Sequence, residues 1–455
     1  MWKNSKLTTY QILILSFIAL STVGSLILAL PISLQAGIDV PFFDHFATSI
    51  SLVCVSGMAA LSIGDTYSLF GQTIALILIQ IGGLGVITLI NAGLYTLRRK
   101  IPLREQYLMQ ESLNRDTNTN FLDFMRSIYL FTFIAEFLGV LIICIDFIPR
   151  YGIGRGIFNA IFLAVGSFNN AGLHNLESDS LINFNNNPLI LLTVCVLIIL
   201  GGIGFTVWFE LRERVIRYIN EKPRHFKIAF QHLSMHTRLV LTMTIILITI
   251  GTSLTWISES QNPLTMQNMS LPMQVINSFF KAVNARTAGF TSVHYVNLTP
   301  FSKFISMVQT IIGGAPGGTA GGIKVTTFAI LMLLIRSELN SYSEVIYHRR
   351  TIPARLVKRA VLITLCFIIL LVIGYSILLI THPHLNELDL LFEVVNALGT
   401  AGISLDLTAQ LSTLGHIVLI ILMIAGRVGP ITLLVGLLEH KHLEVNYAKA
   451  DIYIG

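Results

Sequence analysis

Four short segments hold the residues with which this chain could do chemistry: Val55-Ser56-Gly57-Met58, Asn170-Ala171-Gly172-Leu173, Thr287-Ala288-Gly289-Phe290 and Thr400-Ala401-Gly402-Ile403. Their glycines are 115, 117 and 113 residues apart. Three segments begin with a polar residue and then repeat small, glycine, apolar; Val55 is the exception at the first place. The side chains differ, so the shared chemistry is that of the backbone. Glycine permits the dihedrals that turn carbonyls to one side. Rings of carbonyl oxygens can replace the hydration shell of a monovalent cation. One such glycine would be only a turn residue, but four in register argue for one common site.

A second stretch breaks an otherwise apolar region. Gly313-Gly314-Ala315-Pro316-Gly317-Gly318-Thr319-Ala320-Gly321-Gly322-Ile323-Lys324 lies between the apolar runs 301–312 and 328–335. In hydrocarbon an unpaired backbone group costs several kcal/mol, so broken backbone belongs inside protein or beside an aqueous route. We expect this segment to obstruct such a route. Lys324 and Arg427 are cations within apolar stretches, where a charge costs at least about 2.5–3.5 kcal/mol. Two readings stand for each. Lys324 snorkels to the interface and Arg427 bonds loop carbonyls, or both place positive charge below the four loops and help the segment bar cations. Arg286, inside the third loop, is expected to anchor loop backbone or a carboxylate such as Glu393 rather than meet ions.

The elements that must position these segments repeat with them. Upstream of each glycine is a half-length amphipathic stretch: Phe42–Cys54, 157–168, 275–285 and 390–399. Asp44, Asn159 and Asp389, each thirteen residues before a glycine, are placed as helix caps. A full apolar span precedes each short stretch, at 12–30, 128–148, 239–257 and 361–380. A second span follows, opening near Gln72, Leu189, Phe301 and Leu414 and carrying its own glycine-rich break. For Gly82-Gly83-Leu84-Gly85 and Gly201-Gly202-Ile203-Gly204 the expected role is close helix packing. The fold class is therefore an all-α polytopic membrane protein of four span–pore loop–span repeats. These units, 1–115, 116–230, 231–350 and 351–455, supply eight transmembrane helices and four re-entrant helices around one central pore.

Composition agrees. Apolar residues make up 53% and charged ones 12%, against about 25% charged in soluble proteins. The basic residues cluster between units, as in Arg98, Arg99, Lys100, Arg104 and Arg115, then Lys222, Arg224 and Lys227, then Arg349, Arg350 and Arg355. The other face carries Asp39, Asp44, Asp65, Glu177, Asp179, Glu259, Glu387, Asp389 and Asp406. Both termini are thus expected in the cytosol with the glycine loops facing outward. This charge pattern argues for membrane lipid and against nucleic acid as a partner. Four scattered cysteines and the histidine spacing, including His232 and His236, argue against a disulfide framework or a metal site. Gly317–Lys324 fails the phosphate-loop pattern, because Ile323 separates glycine from lysine and Val325 follows it. No enzyme is expected and no cofactor.

The loops Val53-Cys54-Val55-Ser56-Gly57, Phe168-Asn169-Asn170-Ala171-Gly172, Ala285-Arg286-Thr287-Ala288-Gly289-Phe290 and Gly399-Thr400-Ala401-Gly402 resemble the filter loops of the Trk/Ktr/HKT superfamily of potassium translocating proteins. The segment from Gly313 to Lys324 is similar to that family's intramembrane gating loop, and Asp451-Ile452-Tyr453-Ile454-Gly455 resembles the ending of Ktr-branch membrane subunits. Ser56, Ala315 and Gly318 depart from the commoner residues but remove no filter glycine. The resemblance implies potassium uptake across a bacterial plasma membrane, with K+ held at the filter residues. It also implies a homodimer and a cytosolic ring of nucleotide-binding regulatory subunits. In plant relatives a serine at the position of Gly57 goes with sodium transport, so Gly57 implies potassium. The alternatives are a sodium-selective or sodium-coupled relative and, from another class, an alternating-access carrier for a small solute.

Overall fold

The computed structural model describes residues 9–59, 61–85, 121–176, 180–220 and 233–429. The basic clusters at 98–115 and 222–227, Glu177, Asp179, His232, the unit boundaries near 115 and 230, and residues 451–455 lie outside the described residues.

The first spans are long continuous helices, Thr9–Leu28, Phe121–Tyr151, Met235–Glu259 and Ala354–Thr381. Among the described residues, these are the four helices long and apolar enough to cross a membrane. Their outer faces are Leu, Ile and Phe; Phe137, Ile145 and Ile245 are each more than 60% exposed. Such a face is stable only against lipid or another apolar surface.

The short helices are Phe42–Cys54, Ile153–Phe168, Leu271–Asn284 and Glu387–Gly399. Their C-terminal ends fall within a residue of expectation, but three starts are earlier. Asp44 and Asp389 stand in the first turn rather than at the cap, and Asn159 is buried inside its helix. The starts are set instead by Pro41, Gly152, Ser270 and Asn386. Of these only the Asn386 side chain accepts from the first-turn N–H groups. The carboxylates still lie where the helix dipole favours negative charge.

The second spans are interrupted in the second and third units, and in the first and fourth their described helices end at glycine. Leu69–Leu84 and Thr413–Val428 end at Gly85 and Gly429, both at positive φ. Pro188–Gly202 and Phe205–Asn220 meet at 98°. Pro300–Ile311 and Val325–Leu339 are separated by the glycine-rich segment. One small departure from an all-helical chain is the hairpin that pairs Ile346–Tyr347 with Arg350–Thr351.

Ring closure follows from a packing rule repeated four times. The second span of each unit packs against the short helix of the next: Leu69–Leu84 on Ile153–Phe168, Pro188–Gly202 on Leu271–Asn284, and Pro300–Ile311 on Glu387–Gly399. Thr413–Val428 then packs back on Phe42–Cys54. The first and last units share one apolar core, from Phe17 and Leu52 to Val394 and Leu422.

Packing also requires small residues at the breaks. A Cβ on Gly82, Gly201 or Gly426 would lie 2.1, 1.8 or 2.1 Å from the carbonyl oxygen of Val53, Phe168 or Leu398. In the third unit Thr310 Oγ1 instead donates to the Ala285 carbonyl at 2.9 Å. Gly201→Ala should therefore lower the thermal midpoint and yield of detergent-solubilised protein, by about 1–3 kcal/mol of overpacking. Gly154→Ala, with nothing within 4 Å of the new methyl, should leave both unchanged in the same melt.

Candidate functional site

The short helices end where the four glycine loops begin, and the loops share one backbone geometry. Val55, Asn170, Thr287 and Thr400, two residues before the glycines, are left-handed at φ 54, 59, 70 and 51. Gly57, Gly172, Gly289 and Gly402 follow at φ 75, 65, 90 and 76. The residue between them turns its N–H back into its own helix. Ser56 donates to the Ser51 carbonyl at 2.9 Å, Ala171 to Gly166 at 2.8 Å, Ala401 to Asn396 at 2.9 Å, and Ala288 to Asn284 at 2.9 Å.

The four glycines touch in cyclic order. A Cβ on Gly57 would stand 2.7 Å from the Ala171 carbonyl oxygen, one on Gly172 2.8 Å from that of Ala288, and one on Gly289 2.6 Å from that of Ala401. The circle closes with Gly402, 2.6 Å from the Ser56 carbonyl oxygen. Among the described residues no backbone donor reaches the carbonyls of Val55, Ser56, Asn170, Ala171, Thr287, Ala288, Thr400 or Ala401. The four loops thus bring the carbonyls of Ser56, Ala171, Ala288 and Ala401 together where the glycines meet, and neither these nor the carbonyl one residue before each has a backbone donor among the described residues. The C-terminal ends of four short helices add about half a negative charge each. Such a surface is complementary to a small cation.

Segment 313–324 lies against these loops, held by bonds that replace its missing helix. Ile312 and Ile323 form a parallel bridge, and Gly313 N donates to the Ile323 carbonyl at 3.0 Å. Ala315 N and Thr319 N donate to Gly202 and Gly201 at 2.9 and 3.1 Å, while Phe205 N donates to Gly317 at 3.0 Å. Thr319 Oγ1 donates to the Phe168 carbonyl at 3.0 Å, and Gly321 N donates to Thr287 Oγ1 at 2.9 Å. A Cβ on Gly321 would lie 2.0 Å from Thr400 Oγ1. The segment therefore meets the second, third and fourth loops or their helices.

Arg427 connects it to the first unit. Its guanidinium donates to the carbonyls of Thr319, Gly82 and Gly83, the last at 3.0 Å. Lys324 folds back onto the Ala320 carbonyl rather than reaching outward. Arg286 is buried and donates to the Gly313 carbonyl at 3.4 Å, so it anchors backbone. Glu393 serves its own loop instead, accepting from Ser404 Oγ at 2.6 Å, Leu405 N at 2.9 Å and Thr408 Oγ1 at 3.1 Å.

Of the candidate residues, Val53, Cys54 and Gly399 lie in the last helical turn behind the ring. Asn169 points its amide away from it, to Gln80 Oε1 at 2.8 Å and Glu136 Oε1 at 3.2 Å. Sequence reasoning missed Gln80 and Glu136, and also Lys303, which pairs with Asp389 at 2.9 Å and joins the third unit to the fourth short helix. It also missed Lys281, buried with Nζ donating to the Ser302 carbonyl at 3.1 Å. Their available signal was charge or amide inside apolar stretches.

Fold and site together define a helical, multi-pass membrane protein whose four repeated units turn backbone acceptors to a shared centre. The chain belongs to the TrkH family of cation transport proteins, whose profile matches residues 4–442. It is 32% identical to Ktr system potassium uptake protein B of Bacillus subtilis, over 99% of this chain and 97% of that one. It is 31% identical to the potassium/sodium uptake protein NtpJ of Enterococcus hirae, over 98% and 96%. The crystal structure of the potassium transporter TrkH from Vibrio parahaemolyticus matches its fold with a TM-score of 0.75 at 18% identity, covering 96% of this chain and 86% of that one.

Proposed function

We propose that this chain is the membrane subunit of a potassium-uptake system in a bacterial plasma membrane. In this reading the loops around Gly57, Gly172, Gly289 and Gly402 form the selectivity filter and segment 313–324 is the gate. The observation that carries it is the closed ring of carbonyls without backbone donors, to which a dehydrating monovalent cation supplies the missing partner. Inward flow is driven by the membrane potential, about 2.3 kcal/mol per charge per 100 mV. Both termini lie in the cytosol, the basic loops receive a nucleotide-binding regulatory ring, and two copies associate. The relative named for both potassium and sodium favours a second reading, in which sodium is coupled to or carried with potassium.

Growth of a bacterium lacking its own potassium uptake tests the proposal. Expression of this chain with its cytosolic partner should restore growth at low external potassium, and added sodium should raise the rate only if the second reading holds. Good membrane expression without rescue would reject potassium as the cargo.

A further inference from the structure

Glu136 is a carboxyl group in the middle of a membrane span, Phe121–Tyr151, and is only 5% exposed. Its hydrogen-bond partners are neutral amides. Gln80 Nε2 donates to Oε2 at 3.3 Å and Asn169 Nδ2 to Oε1 at 3.2 Å. On its outer side is an apolar groove of about 530 Å3, lined by Phe133, Phe137, Ile161 and Val165 among others. A leucine would fill such a place without the cost of desolvating an acid. The carboxyl must therefore contribute through its geometry.

That geometry converges on one side chain. The Asn169 amide donates to Glu136 from the second unit and to Gln80 Oε1 from the first, and also to the Val165 carbonyl at 2.9 Å. Its Oδ1 lies 1.9 Å from the place a Cβ would take on Gly83, so it rests against that backbone. The Gly83 carbonyl in turn accepts from Arg427, which also holds Thr319 in the segment. The next residue after Asn169 is left-handed Asn170, where the ring begins.

We infer that Glu136, with Gln80, is a positioning residue for the second loop. Acting through Asn169, it fastens the loop to the first unit's second span and sets the register of Asn170–Gly172 in the ring. This rests on the reading of the loops as a selectivity filter.

The test compares variants in whole cells at equal membrane levels, reading the apparent KM for potassium, the maximal rate and the preference for potassium over sodium. Glu136→Leu should raise the KM about tenfold and lower the preference, with the maximal rate nearly unchanged. Glu136→Gln, which keeps the shape and one acceptor, should lie near the native protein. Gln80→Leu removes the same anchor without touching a charge, and gives the reading should Glu136→Leu not reach the membrane. The double variant Glu136→Leu/Gln80→Leu should be little worse than either single one, because both act on Asn169. A native KM and preference in Glu136→Leu, or in Gln80→Leu alone, would overturn the inference, as would a loss confined to the maximal rate. Gly57→Ser separates the two levels. If it alters ion preference while the Glu136 and Gln80 variants do not, the filter stands and this inference falls. If it leaves both potassium kinetics and preference native, the filter reading falls and takes the inference with it.

Discussion

Gly57→Ser is expected to lower potassium uptake at least about a hundredfold or to turn it toward sodium. Gly57 sits at φ 75, a conformation that costs a non-glycine residue roughly 1–3 kcal/mol when imposed. The added Cβ would also stand 2.7 Å from both the Ala171 carbonyl oxygen and Gly402 Cα. Those are backbone atoms of the two neighbouring loops, so neither yields as a flexible side chain would. The ring must open between the first loop and both of its neighbours, which changes the spacing of the carbonyls. A cation whose hydration shell is replaced by those oxygens senses such a change directly. Gly37 supplies the control: its φ is 84, yet a Cβ there meets nothing within 4 Å. Gly37→Ser should pay backbone strain without altering ion preference. Initial rates of rubidium and sodium uptake, with membrane levels from quantitative blotting, decide the matter. A Gly57→Ser protein with native potassium kinetics would remove that glycine from the filter.

The ends of the short helices were legible because a glycine marks each of them, and glycine has a local backbone cause. Phe42–Cys54 matches the expected stretch residue for residue, and the other C-terminal ends lie within one. The starts were harder. Ile153 and Leu271 open their helices with apolar side chains 72% and 65% exposed. In water such residues would be poor surface, but against lipid they are not, so amphipathicity fades before the helix does. Repetition made the ring itself readable, since four similar units imply one axis. The cross-unit bonds had no such signal. Asn169 lies 89 residues from Gln80, and Arg427 lies 345 residues from Gly82. No spacing rule joins positions brought together only when one unit packs against another. Arg286 shows the same limit: it bonds loop backbone as its place in the sequence suggests, but Glu393, the carboxylate expected as the alternative partner, belongs to Ser404, Leu405 and Thr408.

Arg427→Gln is expected to raise potassium leak through the resting protein by about tenfold or more. The guanidinium bonds carbonyls of Thr319 on one side and Gly82 and Gly83 on the other. Glutamine cannot bridge all three, and each buried acceptor left without a donor costs about 1–3 kcal/mol. The loss is one-sided. Segment 313–324 keeps its bonds to Gly201, Gly202 and Phe205 of the second unit and to Arg286 of the third loop, but loses the hydrogen bonds that tie it through Arg427 to Gly82 and Gly83. It would then swing from its remaining attachments, so the leak arises from a displaced segment rather than from an unfolded one. Arg427→Lys tells bridging from charge, because lysine keeps the cation and lacks the planar fork. If positive charge alone bars ions, the lysine variant stays tight; if the bridge holds the segment, it leaks nearly as much as the glutamine variant. The measurement is rubidium efflux from proteoliposomes that contain this chain alone, at matched protein content. Unchanged efflux in Arg427→Gln would leave the segment without its proposed latch, because no other side chain described here ties it to Gly82 and Gly83.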